Sequence, residues 1–256
     1  MPFSDKRYLR FDNTGLPVTA IAEDYADGDI TPPHSHPNAQ LIHAVRGVMI
    51  VSTADGQWIV PPTRGLWIPA GTQHSTRMVG EVLMRTAYVR ADAIPAASER
   101  CVVLQISALL RELILAAIDI EIPYSPDSRA AHLTQLLLDE IRHMPSLPLH
   151  LPLPTDARLR EICATLSAAP GDATTVGAWA ARLNVDPKTI QRLFVRETGM
   201  TFGQWRTQAR LLSALERLAA GDKVLNVALD LGYESPSAFA TMFKRQFGVS
   251  PSRFFE

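Results

Sequence analysis

The sequence has few cysteines and no long apolar segment. Its two cysteines, Cys101 and Cys163, stand in neither a CxxC nor a zinc-ribbon spacing, which excludes a disulfide framework. No apolar run approaches the roughly 18 residues that a membrane span requires. The charged N-terminus, MPFSDKRYLRFD, lacks the apolar segment of a secretory signal. We therefore expect a cytoplasmic chain without a membrane partner.

The chain also has little net charge, but its charges are unevenly distributed. The formal net charge is -1 over 256 residues. Residues 155–256 contain 13 basic and 10 acidic side chains, whereas residues 1–154 contain 12 basic and 16 acidic ones. The length exceeds the roughly 100 to 200 residues of a typical domain, so we expect two domains. Because its charge is positive, the C-terminal one is the candidate for binding nucleic acid.

Short strand-like segments separated by glycine and proline fill the N-terminal part, as is typical of a β-sandwich or barrel. Beyond residue 91, two amphipathic helices are predicted from the apolar stripes Leu110, Leu113, Ile114, Ala117 and Leu133, Leu136, Leu137, Ile141. Four prolines within residues 145–154 indicate a domain boundary, since helices and central strands exclude them. We predict a barrel over residues 1–95, a helical dimerisation region over 96–145, a linker over 146–154 and an all-α domain over 155–256.

The C-terminal part contains a repeat of one short helical pattern. The apolar stripes Val176, Trp179, Ala180, Leu183 and Val224, Val227, Ala228, Leu231 lie 48 residues apart. Each is followed by a turn and by an N-cap residue with proline at the first helical position, Asp186-Pro187 and Ser235-Pro236. The new helices are predicted to end at Gly199 and Gly248. Two helices joined by a short turn form a helix-turn-helix, so the pattern predicts two DNA-binding units.

The second unit also carries a family resemblance. The segment Gly232-Tyr233-Glu234-Ser235-Pro236-Ser237, continued through Phe247-Gly248-Val249-Ser250-Pro251, resembles the closing signature of AraC-type transcription regulators. The resemblance covers about the last hundred residues and implies sequence-specific binding to double-stranded promoter DNA. It also implies that the chain works with the transcription machinery and is not an enzyme.

The exposed faces of the two second helices indicate how DNA would be read. Lys188, Gln191 and Arg192 lie opposite the apolar stripe of the first such helix and match base-facing positions of the family. Arginine reads guanine and glutamine reads adenine through paired hydrogen bonds. The equivalent positions of the second helix carry only short side chains, and Lys244 and Arg245 nearby suit phosphates. The short side chains are Ser237, Ala240 and Thr241.

A histidine pattern in the N-terminal part resembles the metal-binding motifs of the cupin family. His34, His36 and Gln40 stand between Gly28 and Gly47 in the spacing of the first cupin motif, with glutamine where the family usually has glutamate. The sequence PAGTQH, ending at His74, matches the core of the second motif. The resemblance implies a small jelly-roll barrel. Residues two apart on a strand face the same side, so these four residues can converge inside it.

Three imidazoles suit zinc, nickel or ferrous iron. The neutral amide of Gln40 is a weaker ligand than a carboxylate and cannot act as a general base. Two interpretations of the histidines therefore stay open: a metal site, or a pocket that binds an organic effector directly. The aromatic residues that could line such a pocket are Trp58, Trp67, Tyr25 and Tyr88. His43 has the opposite strand parity and is expected to face outwards or pack in the wall.

These patterns together predict a transcription regulator that senses a small molecule or metal in a cupin-like domain and dimerises through the helical pair. An effector would shift the DNA-competent arrangement through its different affinities for two arrangements. The alternative is a metal-dependent cupin enzyme, an oxygenase or isomerase, fused to a DNA-binding tail. Such an enzyme needs a proton-transfer group, which Gln40 cannot supply.

Overall fold

The computed structural model describes residues 14–62, 64–94, 98–147 and 150–254. These residues form two compact units. The N-terminal unit takes the described residues of 1–53 and 60–149, and the C-terminal unit takes those of 54–59 and 150–256. The predicted outer limits at residues 1, 95 and 256 lie outside the described residues, as does Pro148 of the proline-rich segment.

The N-terminal unit is built on an antiparallel sheet in the order β1-β6-β3-β5-β7-β8, with β2 also paired to β6. Its long strands β3 and β6 contribute most of the pairing. The nine strands of the described chain are β1 (Val18–Tyr25), β2 (Ile30–His34), β3 (Ala39–Thr53), β4 (Gly56–Val60), β5 (Arg64–Ile68), β6 (His74–Val89), β7 (Val102–Gln105), β8 (Ser146–Leu147) and β9 (His150–Pro152).

Gly47, the last residue of the first cupin motif, marks an irregularity in β3. The register of β3 against β6 shifts on either side of Arg46. Gly47 has φ +75°, and a Cβ added there would lie 2.4 Å from the carbonyl oxygen of Glu81. Glycine is required here because only it combines a positive φ with such a close approach of two strands.

Two helices cover one face of the sheet: α1 (Ala108–Ile118) and α2 (Arg129–His143). The buried residues of α1 are the four predicted ones. For α2 the prediction is partly wrong, because Leu136 is 44% exposed and Leu138 is buried in its place. The buried stripe runs through Thr134, Leu137, Leu138 and Ile141, with the spacing i, i+3, i+4, i+7. Both helices join one apolar core with β1, β3, β5, β6 and β7.

The proline-rich segment contains two short edge strands. β8 pairs with β7 at the end of the sheet, and β9 pairs with β4 inside the C-terminal unit. Proline is confined to sheet edges because it cannot donate a ladder hydrogen bond. Pro152, at the end of β9, accepts a hydrogen bond of 2.9 Å from Nε1 of the fully buried Trp205.

The C-terminal unit is all α apart from these strands, which confirms the predicted fold class for this half. Thr175, Asp186, Thr201 and Ser235 cap helices with their side chains, and Gly199 and Gly248 end helices in the left-handed conformation. The predicted helix boundaries of both repeats are therefore confirmed. Its helices are α3 (Ala157–Ala168), α4 (Val176–Arg182), α5 (Pro187–Thr198), α6 (Phe202–Ala219), α7 (Val224–Asp230) and α8 (Pro236–Phe247).

Helix α3 is not part of the repeat and was not predicted. Its buried residues Leu159, Ile162, Cys163 and Leu166 follow the same i, i+3, i+4, i+7 spacing, which the sequence displays. The start of α3 is held by Glu197 at the end of α5. One carboxylate oxygen of Glu197 accepts hydrogen bonds from the backbone N–H groups of Thr155, at 3.0 Å, and Asp156, at 2.9 Å.

Replacing Glu197 by glutamine should destabilise the C-terminal unit. The backbone N–H of Asp156 and the Arg196 side chain hold the pKa of Glu197 at about 2. Hydrogen bonds to a charged group contribute about 1.5–3 kcal/mol, so the free energy of unfolding should fall by about that amount in Glu197→Gln. Denaturant unfolding at neutral pH measures the loss.

The control is Glu161→Gln, which changes an exposed carboxylate on α3. The folded-state pKa of Glu197 lies below the ordinary 4.5, so its contribution is present above that pH and is lost as the pH falls towards 2. Equal stability of the two variants at neutral pH would contradict the assigned role of Glu197.

Candidate effector cavity and nucleic-acid interface

Three histidines meet where β2 ends and β6 begins. His34 is the last residue of β2 and pairs with His74, the first residue of β6. His36 lies in the segment between β2 and β3, so the strand parity invoked for it does not apply. Its carbonyl accepts a hydrogen bond of 2.8 Å from the N–H of Gly71, in the second motif. One ring nitrogen of each histidine lies within 4.8 Å of the others.

Hydrogen bonds fix the tautomers of two of these rings. Nδ1 of His34 lies 2.7 Å from the carbonyl oxygen of Pro32, and Nδ1 of His74 lies 2.9 Å from that of Thr72. A carbonyl can only accept, so Nδ1 carries the proton and the lone pair is on Nε2. Burial, with a further contribution from His34, lowers the pKa of His36 and His74 to about 4. Both rings are therefore neutral near pH 7, the form that binds a metal ion.

The histidines open into a cavity of about 230 Å³. Gln40, 4% exposed, points into its wall, and its Nε2 donates a long hydrogen bond of 3.5 Å to the hydroxyl of Tyr88. The hydroxyl of Tyr25 donates to the carboxylate of Glu23 at 2.8 Å, and burial together with Glu23 raises the pKa of Tyr25. Ile42 and Met84 add apolar surface.

Of the four predicted pocket aromatics, Tyr25 and Tyr88 line the cavity, whereas the structure places Trp58 and Trp67 elsewhere. Trp67 pairs with Leu41 across β3 and β5, and both belong to the core under α1 and α2. Trp58 belongs to the C-terminal unit, where its ring stacks on His150.

Strand parity explains this division. Directly paired residues share a sheet face, and neighbouring residues on a strand face opposite sides. Gln40 and Ile42 therefore point into the cavity, whereas Leu41 and its partner Trp67 point away from it. His43 follows the parity of Leu41: it is 1% exposed, lies outside the cavity wall, and its Nδ1 contacts the carbonyl oxygen of Arg64 at 3.0 Å. The prediction that His43 packs away from the pocket is confirmed.

In the C-terminal unit, α5 presents a polar exposed face. Lys188, Gln191 and Arg192 are exposed and line an open groove with Val195 and Arg196. The opposite face, with Ile190 and Phe194, is buried against the rest of the unit.

Helix α8 presents the equivalent face of the second repeat with shorter side chains. Ser237, Thr241, Lys244 and Arg245 are exposed, and Ala240 is half-buried. Its opposite face buries Phe239, Phe243 and Phe247. The two faces thus match in position, but the long polar side chains at the predicted base-facing positions belong to α5.

The arginines of α6 are used within the unit. Nε of Arg210 donates to the carbonyl oxygen of Pro170 at 2.8 Å, and burial lowers the pKa of Arg210. Arg206 reaches the carbonyl oxygen of Thr174 at 3.4 Å and lies over the ring of Phe202. These contacts hold the loop before α4 against α6.

Comparison with known proteins agrees with both halves. Residues 16–143 match the AraC-like ligand binding domain, and residues 179–256 match a helix-turn-helix domain. The chain belongs to the AraC family of transcriptional regulators. It therefore binds DNA and carries a ligand-binding domain for a small-molecule effector, and the alternative of an enzyme is set aside.

The transcriptional regulator NimR of Escherichia coli is 34% identical over 224 residues, which cover 88% of this chain and 82% of NimR. The regulator RipA of Corynebacterium diphtheriae is 35% identical over 102 residues, covering 40% of this chain and 30% of RipA. The apo structure of ToxT from Vibrio cholerae aligns with a TM-score of 0.40 at 10% identity, covering 94% of this chain and 98% of that one. Among the described residues, no helix is long and apolar enough to cross a membrane.

Proposed function

We propose that this AraC-family regulator reads its operator mainly through α5. The observation that carries the proposal is the exposed face of Lys188, Gln191 and Arg192, which lies opposite a fully packed apolar face. Arg192 suits a guanine and Gln191 an adenine in the major groove. Helix α8 offers Ser237, Ala240 and Thr241, whose small side chains reach at most a hydroxyl partner or a thymine methyl group.

Two such helices on one face of DNA would enter successive major grooves, roughly 34 Å apart. Helix α6, with 18 residues, connects the two repeats and sets their separation. Lys244 and Arg245, exposed on the last turn of α8, would contact phosphates and so position the protein without selecting bases.

Replacing Arg192 by alanine should weaken binding to the operator by about 1–3 kcal/mol and relax base choice at one position, because a paired hydrogen bond to a guanine is lost. Binding to a library of operator variants, derived from the DNA upstream of the chain's own gene, measures both effects.

The matched comparison is Lys244→Ala. It should weaken binding to all sequences about equally and reduce the slope of affinity against salt by about one. An Arg192→Ala variant with unchanged preference at every base position would remove Arg192 from the reading set.

We further propose that His34, His36 and His74 hold a divalent metal ion: zinc, nickel or ferrous iron. The support is the donor set itself, because two rings donate Nδ1–H to backbone carbonyls, as metal-ligating histidines commonly do. Two neutral rings and a spacing within 4.8 Å also fit such an ion. When bound, the ion supplies open coordination positions for atoms of the effector. The second interpretation, direct binding of an organic effector by the histidines, rests on the same cavity.

Metal analysis separates these two interpretations. Protein purified without an affinity tag or chelator should contain about one metal ion per chain, and His34→Ala/His74→Ala should lose it, because three histidines are the minimum donor set here. Elemental mass spectrometry gives the stoichiometry. The control is His132→Ala, an exposed histidine on α2. A folded wild type without metal would favour the direct organic pocket.

We also propose that the regulator is a dimer formed through α1 and α2. Leu109 on α1 is 47% exposed and Leu136 on α2 is 44% exposed, so each helix keeps a large apolar side chain at its surface. A second copy could bury these side chains. An effector that binds one dimer arrangement more tightly would then shift the DNA-competent population and its access to the transcription machinery.

Sedimentation velocity tests the dimer. The wild type should sediment as a dimer at micromolar concentration, and Leu136→Lys should shift it to monomer because a charge at the interface is desolvated. Leu225→Lys, at a leucine on α7 that is 52% exposed, is the control and should remain dimeric. A strictly monomeric wild type would contradict the proposal.

A further inference from the structure

The amide of Gln40 has an acceptor that the protein does not use. Gln40 lies on β3 between Ile68 and Tyr88 in the ladder and is 4% exposed. Its Nε2 donates to the hydroxyl of Tyr88, whereas its Oε1 is buried and has no hydrogen-bond partner among the described residues. A buried acceptor without a partner lowers stability, so native proteins retain few of them.

Other polar groups of the same cavity have partners within the protein. The hydroxyl of Thr31 accepts from the N–H of Thr76 at 2.9 Å and lies 3.4 Å from its carbonyl oxygen. The Tyr25 hydroxyl is bound to Glu23. The Nδ1 protons of His34 and His74 are bound to carbonyls. The unused oxygen of Gln40 thus stands in the wall of a cavity whose other hydrogen-bonding groups are engaged.

We propose that Gln40 is a specificity-determining residue of the effector cavity, and that its Oε1 accepts a hydrogen bond from an N–H or O–H group of the effector. The inference rests on the proposed effector site at the histidines. It names the ligand class: a molecule small enough for about 230 Å³, with a metal-coordinating atom and a hydrogen-bond donor beside it. Gln40 then selects the donor, and the three histidines hold the metal without it.

The first test uses cobalt(II)-loaded full-length protein and two probes, acetohydroxamate and N-methylacetohydroxamate. Both coordinate a metal ion, but only the first has an N–H group. Visible absorption of the cobalt gives the affinities. Wild type should prefer acetohydroxamate by about 10-fold, the size expected for one hydrogen bond. Gln40→Met should bind cobalt normally and lose this preference, while Gln135→Met on the surface of α2 keeps it.

Three results of this test would overturn the inference. They are equal affinity of wild type for the two probes, the same preference in Gln40→Met, which would make it steric, and loss of cobalt from Gln40→Met, which would make Gln40 a metal ligand. Failure of both probes to bind cobalt-loaded wild type would also overturn it, because the ion would then offer no position beside Gln40.

A second test does not depend on the metal. Methionine has nearly the volume of glutamine and no strong acceptor, so chelator-treated Gln40→Met should unfold at the same or a higher denaturant concentration than wild type. A lower midpoint, matching that of Tyr88→Phe, would show that Gln40 serves only its bond to Tyr88 and would overturn the inference. If wild type binds no cobalt, the metal proposal fails, and this midpoint alone decides whether Gln40 keeps an unused acceptor.

Discussion

Alternation along β3 is the constraint on which the sensor depends. Each strand residue faces the side opposite to its neighbours. Leu41 therefore joins the core under α1 and α2, while Gln40 and Ile42 face the cavity. A shift of one residue in the pairing of β3 with β6 would exchange these faces, burying a glutamine under the helices and placing a leucine beside the histidines. The long ladder between these strands, with its break at Gly47, keeps the register that makes a polar site possible.

The DNA-binding half depends on local interactions at helix ends. Each reading helix begins at a capping side chain followed by proline and ends at a left-handed glycine. These features fix where a helix starts and stops, and hence which side chains its exposed face presents. The tertiary contacts then join the pieces: Glu197 ties α5 to the start of α3, and Arg210 ties α6 to the loop before α4. A rigid pair of reading helices follows from caps and clamps together.

The two halves use polar groups in opposite ways. In the C-terminal unit, the charged groups of Glu197 and Arg210 are satisfied within the protein and stabilise it. In the cavity, the Gln40 oxygen and the Nε2 lone pairs of His34 and His74 point towards space that a ligand can fill. A site that waits for a ligand gives up some stability, and binding of the ligand recovers it.

The sequence by itself determined the features that depend on local order. Helix caps, apolar stripes, the repeat with its two turns and the spacing of His34, His36 and His74 are written in neighbouring residues, and the structure places them as predicted. Only the tertiary structure decided which aromatics reach the cavity, because Trp67 and Tyr88 are alike in sequence and differ in the sheet face that pairing gives them. It likewise exposed Leu136 and buried Leu138, since the rotation of α2 is set by the sheet on which it packs. Local patterns fix elements, whereas the side chains that meet are chosen by contacts between residues far apart in the chain.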